Sequence, residues 1–336
     1  MKRLAAALGL LLTACAAGGS AAASPSPGAS ASAAASPSPA ALSCRLPIVR
    51  GVGSGGFLNL PAATFSVDPA SQTGYDWPLG KWLPAFYNEI SPDGSRYAFG
   101  EIPSVPSPPS TPIPGRIHVV DAASGSERIA VVPSTSTVVT IQPEGIYVNR
   151  VTPASDDAPQ RLGLVDPTTL AYRQVTTDDR FWSVVGPGVA YAVDLDASDP
   201  DKPFVAFRRG GNRVVRLDLG TGAISTWYYA PGNFIWILGL DAGGLPIVGQ
   251  ATKTSYSVVL TAIRTVIYSG SAGVPPGSTA PVRLPEPDAP FKVAISDSHG
   301  VWIASRSGAI WLYRSGALTM IARLGFTEPG LAGACG

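Results

Sequence analysis

The stretch DSHGVWIASRSGAIWLYRSG, Asp297 to Gly316, places short aromatic strands around small glycine turns. Reading backward from it, one order recurs: an apolar strand, a glycine-containing turn, a second strand, a variable insert, a third strand, another turn and a fourth strand. Five copies can be traced. They open with AFYNEIS, TVVTIQ, WSVVG, FIWILGL and KVAIS, and their first turns carry Gly94, Gly145, Gly188, Gly243 and Gly300, spaced 43 to 57 residues apart. The fourth copy is the least regular in its second half, and in the fifth the insert has shrunk to Ser307-Gly308.

Four antiparallel strands per unit at this period are the signature of a propeller blade. One such sheet alone would leave apolar faces and open edges in water, whereas stacking sheets radially buries them. A β-sandwich of the same strands is the competing architecture, because turn signals by themselves do not separate the two. The constant order of turns favours the propeller. Composition agrees, since 37 Gly and 33 Pro with only 14% charged residues describe many turns and few long helices. Outside the repeats, residues 44 to about 82 and the final LGFTEPGLAGACG are each too short for a blade. Together they are expected to form one, with the C-terminal segment adding a strand to an N-terminal sheet. The expected fold is therefore all-β: a propeller of about six four-stranded blades over residues 44–336, its ring closed by the N- and C-terminal strands.

Two of the repeats resemble known ones. EISPDGSRYAF resembles the TolB-type propeller repeat, and DSHGVWIASRSGAIWLY is similar to the two-component-regulator propeller repeat. Each resemblance covers one blade and implies the fold, not a ligand.

The chain opens MKRLAAALGLLLTAC, a short positive start followed by an apolar run too short to span a bilayer as a helix, which reads as an export signal over residues 1–14. Leu12-Thr13-Ala14-Cys15 resembles the lipobox of bacterial lipoproteins, which implies cleavage before Cys15 and a diacylglycerol on its thiol. Two or more acyl chains hold a protein to a membrane where one does not. Residues 15–43 then carry the lipidated cysteine and an Ala/Ser/Pro linker without aromatics, too polar and too small to bury a core. As a flexible coil it would give a reach of about 30 Å. The expected address is the outer side of the cell membrane, lipid-anchored, as a monomer. Removing Lys2 and Arg3 takes the formal charge from +1 to −1, and no basic stripe suits a nucleic acid. With Cys15 lipidated, Cys44 and Cys335 are the remaining thiols in an exported chain and are expected to form a disulfide that latches the ring.

Loops in such a blade alternate between two faces, and all long inserts and inter-blade connections fall on one of them. That face is the candidate binding surface. On it lie Asp156, Asp157, Asp178, Asp179, Asp194, Asp196, Asp199 and Asp201, which suit a cation or a basic partner if they are not simply solvated. The run DLDASDPD lacks the glycine and glutamate of a calcium loop. Aromatics open the entry strands: Phe86-Tyr87, Phe181-Trp182, Phe234 with Trp236, and Phe291. Such rings stack on a sugar or flat ligand at a channel mouth, although strand aromatics more often pack in the core. The binding candidates are accordingly Tyr87, Trp182, Phe234, Trp236, Asp194 and Asp196. Asp121, Asp166 and Asp218 end third strands and read as turn formers.

Catalytic signals are thin. GVGSGG (51–56) matches a dinucleotide fingerprint, but FLNLPAATFSVDP follows where a helix is required. His118 falls inside a strand and His299 in a turn on the other face, which argues against a two-histidine metal site, and no nucleophile elbow is present. The favoured function is a binding or scaffolding module for an envelope protein, peptide or glycan, with no cofactor. The alternative is an exported hydrolase or lyase with a divalent cation in the central channel, held by Asn88, Glu89 and loop aspartates.

Overall fold

The computed structural model describes residues 42–50, 54–101, 113–150, 161–199, 211–252, 266–269, 282–283, 294–314 and 317–336, all within the compact unit Ser36–Gly336. Cys15, most of the linker and the inserts bearing Asp156, Asp157, Asp201 and Phe291 lie outside these residues.

Among the described residues, five sheets have four strands. The first contains β1 (Arg45–Val49), β2 (Gly55–Asn59), β3 (Thr64–Asp68) and, from the far end of the chain, β25 (Gly330–Leu331), in the order β25-β1-β2-β3. The others run in sequence order. They are β9 to β12 (Ser136–Gln142, Gly145–Arg150, Arg161–Val165, Tyr172–Gln174) and β13 to β16 (Trp182–Gly186, Val189–Asp194, Arg213–Asp218, Ile224–Tyr229). Then come β17 to β20 (Asn233–Leu240, Pro246–Thr252, Val266–Ser269, Val282–Arg283) and β21 to β24 (Ala294–Asp297, Gly300–Ala304, Ala309–Arg314, Ala317–Arg323). A hairpin, β4 (Gly74–Asp76) and β5 (Lys81–Leu83), precedes a three-stranded sheet of β6 (Arg96–Gly100), β7 (Gly115–Asp121) and β8 (Glu127–Val132). The count of about six four-stranded blades is thus corrected to five. The first repeat falls short because its opening segment turns through a 3-10 turn, Tyr87–Glu89, and only Ile90 bridges to Tyr97.

The core explains why the sheets stack. In β10, Ile146 and Val148 pack against the β6–β8 sheet, while Tyr147 packs against β13 and β14. In β14, Ala190 and Ala192 face one neighbouring sheet, and Val189, Tyr191 and Val193 face the other. β22 repeats this with Trp302 and Ala304 on one side and Val301 and Ile303 on the other. Successive side chains of a strand point to opposite faces, so a strand apolar at every position needs a sheet on each side. Each such side chain contributes about 1.5–3 kcal/mol by leaving water. Accordingly β6 touches β9, β9 touches β13, β13 touches β17, β17 touches β21, and β22 touches β25. This is a propeller arrangement.

The turns follow the sequence reading. Asp121, Asp166 and Asp218 each accept backbone N–H bonds from the turn that follows, at Ser124, at Thr168 and Thr169, and at Gly220 and Thr221. Those bonds hold all three carboxyls below the usual range. Gly94 and Gly188 adopt φ +69, as expected of first-turn glycines. In the fourth repeat the left-handed residue is Gly244, not Gly243.

The two ends of the described chain are joined. Cys44 is disulfide-bonded to Cys335, with Cα atoms 5.6 Å apart. Arg45 and Gly336 exchange backbone hydrogen bonds of 2.9 and 3.2 Å, and β1 pairs with β25. Asp297 Oδ2 accepts the Cys335 N–H at 2.8 Å and the Trp302 indole N–H at 2.7 Å, which ties the terminus to the fifth repeat. Phe57, Tyr75, Trp77 and Trp82 cluster beside this join, and Trp77 donates its indole N–H to the Ala334 carbonyl.

Candidate functional site

Among the described residues, the loop aspartates are held by arginines or by nearby amides and hydroxyls. Arg180 lies between Asp178 and Asp194, with its Nε 3.2 Å from Asp194 Oδ2. Arg213 reaches the same oxygen with Nε at 2.9 Å and Nη2 at 2.5 Å. Arg161 pairs with Asp179 at 2.7 Å. Asp196 accepts the Ser198 N–H and hydroxyl, bonds that lower its carboxyl below the usual range. Asp199 is buried and accepts from Asn212 Nδ2 at 2.7 Å and the Gly232 N–H at 2.9 Å. An acid already matched by a fixed guanidinium or amide holds a loop and has little charge left for a cation. Among the described residues, no group of three or more His, Cys, Asp or Glu is placed to hold a metal ion. His118 stacks on Phe99 and bonds Glu127, while His299 bonds Asp297.

The aromatic candidates separate. Trp182 is fully buried in the core between the second and third repeats, where Asn149 donates to its backbone carbonyl. It offers no face to a ligand, because β13 is packed on both sides. Trp236 lies against Gly249 so closely that a Cβ there would come within 2.4 Å of the indole. Phe234 stands 5.6 Å from Trp236, half-buried. Tyr87 is exposed beside Phe86, which is 62% exposed.

These two rings start the 3-10 turn. Asn88 fixes it by donating to the Val139 carbonyl of β9 at 2.7 Å, and Glu89 Oε2 accepts the Phe86 N–H at 2.8 Å. Burial raises the Glu89 carboxyl to about 7, against which the Phe86 bond works only weakly. The folded protein therefore holds a proton that the unfolded chain, titrating near 4.5, has lost between those two values. That contribution is fully present below pH 4.5 and is lost as pH rises through 7. Glu89→Gln is expected to flatten this fall in stability, read as the urea midpoint at a series of pH values. An unchanged slope would assign it elsewhere.

The concave feature lies at the other end of the strands, beside the first-to-second turns. A groove of about 510 Å³ between the third and fourth repeats is lined by Pro187, Val189, Tyr191, Arg216, Trp227 and Leu245, with Ser225, Thr226, Gly243 and Gly244 at its edge. Val214 pairs with Tyr228 and Val215 with Thr226, leaving Trp227 as the extra residue of a bulge. A bulge re-aims a side chain that strict alternation would send elsewhere. Here it brings the indole edge-to-face with Tyr191, ring centres 5.7 Å apart. Arg216, opposite Tyr191 in the ladder, stands 3.6 Å from Asp218. Burial still raises the Tyr191 hydroxyl above its ordinary value, so it stays neutral. Asp241 anchors the facing turn through the Gly243 and Leu245 amides. Sequence reasoning missed this groove. Its one signal was Trp227-Tyr228-Tyr229, three adjacent aromatics that an alternating edge strand cannot place on one face.

The fold and groove define the class: an all-β chain of four-stranded blades in a propeller arrangement. No protein-family model and no curated protein matches the chain. Among solved structures it is similar to TolB from Acinetobacter baumannii, with 12% identity and a TM-score of 0.49 over 87% of this chain and 67% of that one. It is also similar to a post-proline cleaving enzyme from Rickettsia typhi (11%, 0.41, 84% and 43%) and to the acylaminoacyl peptidase of Pyrococcus horikoshii (12%, 0.38, 69% and 37%). The chain spans less than half the length of either peptidase.

Proposed function

We propose that this protein is a lipid-anchored, extracytoplasmic propeller that works as a binding or scaffolding module. The observation that carries the reading is the groove beside Trp227, where an indole backed by the buried Tyr191, a guanidinium and a serine hydroxyl stand between two adjoining sheets. Fixed, convergent polar groups around an apolar floor are what a binding site needs and a solvated surface lacks. The N-terminal export and lipobox signals supply the address, and the linker supplies the reach. The pairing of β25 with β1 and the Cys44–Cys335 bond support closure of the ring by the two ends of the domain.

Cys15→Ser is expected to move the protein from the membrane to the soluble fraction of its own cells and to abolish labelling by a radioactive fatty acid. Retention at the membrane without label would overturn the lipid anchor. Crosslinking the full-length protein in those cells, followed by mass spectrometry, then tests the binding role: one reproducible envelope partner supports it. A second reading, an exported hydrolase or lyase, is favoured by Glu89, whose carboxyl near 7 suits proton transfer. A metal-dependent enzyme would lose thermal stability to a chelator and regain it with one particular cation, and a binding module would ignore both.

A further inference from the structure

We propose that the groove beside Trp227 binds a neutral saccharide. The inference rests on the binding reading above and names its ligand class. The lining is apolar in the floor, through Pro187, Val189 and Leu245, and aromatic at the wall, through Trp227, behind which Tyr191 is buried edge-to-face. That is the surface on which the C–H face of a pyranose packs. Its charges are balanced within the groove. Arg216, the one charged residue of the lining, pairs with Asp218 at 3.6 Å just outside it. One guanidinium beside one carboxylate leaves no excess positive charge, so an acidic ligand gains little and a cation meets Arg216.

What the groove does present is a mixed set of directional groups. Arg216 is 41% exposed and retains N–H donors. The Asp218 carboxylate and the exposed Ser225 hydroxyl, opposite Arg216 in the ladder, supply acceptors and a donor around it. Vicinal hydroxyls of a sugar need this alternation of donor and acceptor beside an aromatic wall, whereas an ion needs one sign. The volume of about 510 Å³ falls within the range of small-ligand clefts.

The test is isothermal titration calorimetry of the mature protein with cellotriose, maltotriose and triacetylchitotriose, and with trigalacturonate as the acidic counterpart. At least one neutral trisaccharide is expected to bind more tightly than trigalacturonate. Trp227→Ala is expected to weaken that binding about tenfold or more, and Trp227→Phe to restore part of it. Ser225→Arg, an exposed change opposite Arg216 on the groove side of the sheet that does not touch the core, is expected to abolish it, which keeps the test valid if the tryptophan variants fold poorly. Absence of binding by all three neutral sugars, tighter binding of trigalacturonate, or binding indifferent to Ser225→Arg would overturn the inference. A protein partner captured by crosslinking would still stand in that event, so failure of the ligand class and failure of the binding reading are told apart.

Discussion

Cys335→Ser is expected to be among the most destabilising single changes in this protein outside its apolar core. The bond it removes closes a loop of 291 residues, and the chain-entropy relation gives an upper value of roughly 5 to 6 kcal/mol for such a closure. The energetic argument has a local side as well. β25 is only two residues long and pairs with β1 through Ile48–Leu331 and Val49–Gly330. So short a strand is held in place chiefly by what lies after it: the Trp77 indole on the Ala334 carbonyl, the Asp297 carboxylate on the Cys335 amide and the disulfide itself. Urea unfolding of the mature protein with and without a reductant measures the effect. Cys44→Ser and Cys335→Ser should each match the reduced wild type, since either removes the same bond. A midpoint unmoved by reduction would mean that the terminal strand is held by its other contacts and that the bond latches nothing.

The second large effect is expected at Trp302. The side chain is fully buried in the core shared by the first sheet and the fifth repeat, among Leu46, Ile48, Leu58 and Ile310. Truncating so large a buried ring costs about 3–5 kcal/mol, because the rigid sheets on both sides cannot close over the cavity. Trp302→Ala also strips one hydrogen bond from the Asp297 carboxylate, which holds the Cys335 amide. The two predictions are therefore coupled. Trp302→Ala in the Cys335→Ser background is expected to cost less than in the wild type, with an interaction of about 0.5–3 kcal/mol in a double-mutant cycle. Strict additivity would show that Asp297 transmits nothing between the two sites. Trp302→Phe, which keeps most of the ring but loses the N–H, should fall between wild type and alanine.

Much of the architecture was legible before any coordinates, and for identifiable reasons. Strand and turn signals are local. An aspartate two or three residues ahead of a turn amide caps it, and Asp121, Asp166 and Asp218 do so. The Cys44–Cys335 pairing followed from counting thiols. The shortfall in the first repeat was not legible, because whether AFYNEIS extends as a strand or turns at Tyr87 depends on Asn88 finding the Val139 carbonyl across the sheet gap. The same holds for the acids. Asp194 and Asp196 read as free loop carboxylates, but Asp194 meets Arg180 from a preceding connection and Arg213 from the next strand, contacts separated by long inserts in the chain.

By itself, then, the sequence determined the strand order within the repeats and the turns, which depend on neighbours within a few residues or on the identity of single residues. Only the tertiary structure decided which aromatic rings are core and which are surface. Trp182 and Trp227 both sit in strands flanked by aromatics, yet a sheet packed on each face of β13 buries the first, and a one-residue bulge in an edge strand turns the second into a groove. Burial is set by what packs against a strand, and that neighbour lies tens of residues away in the chain.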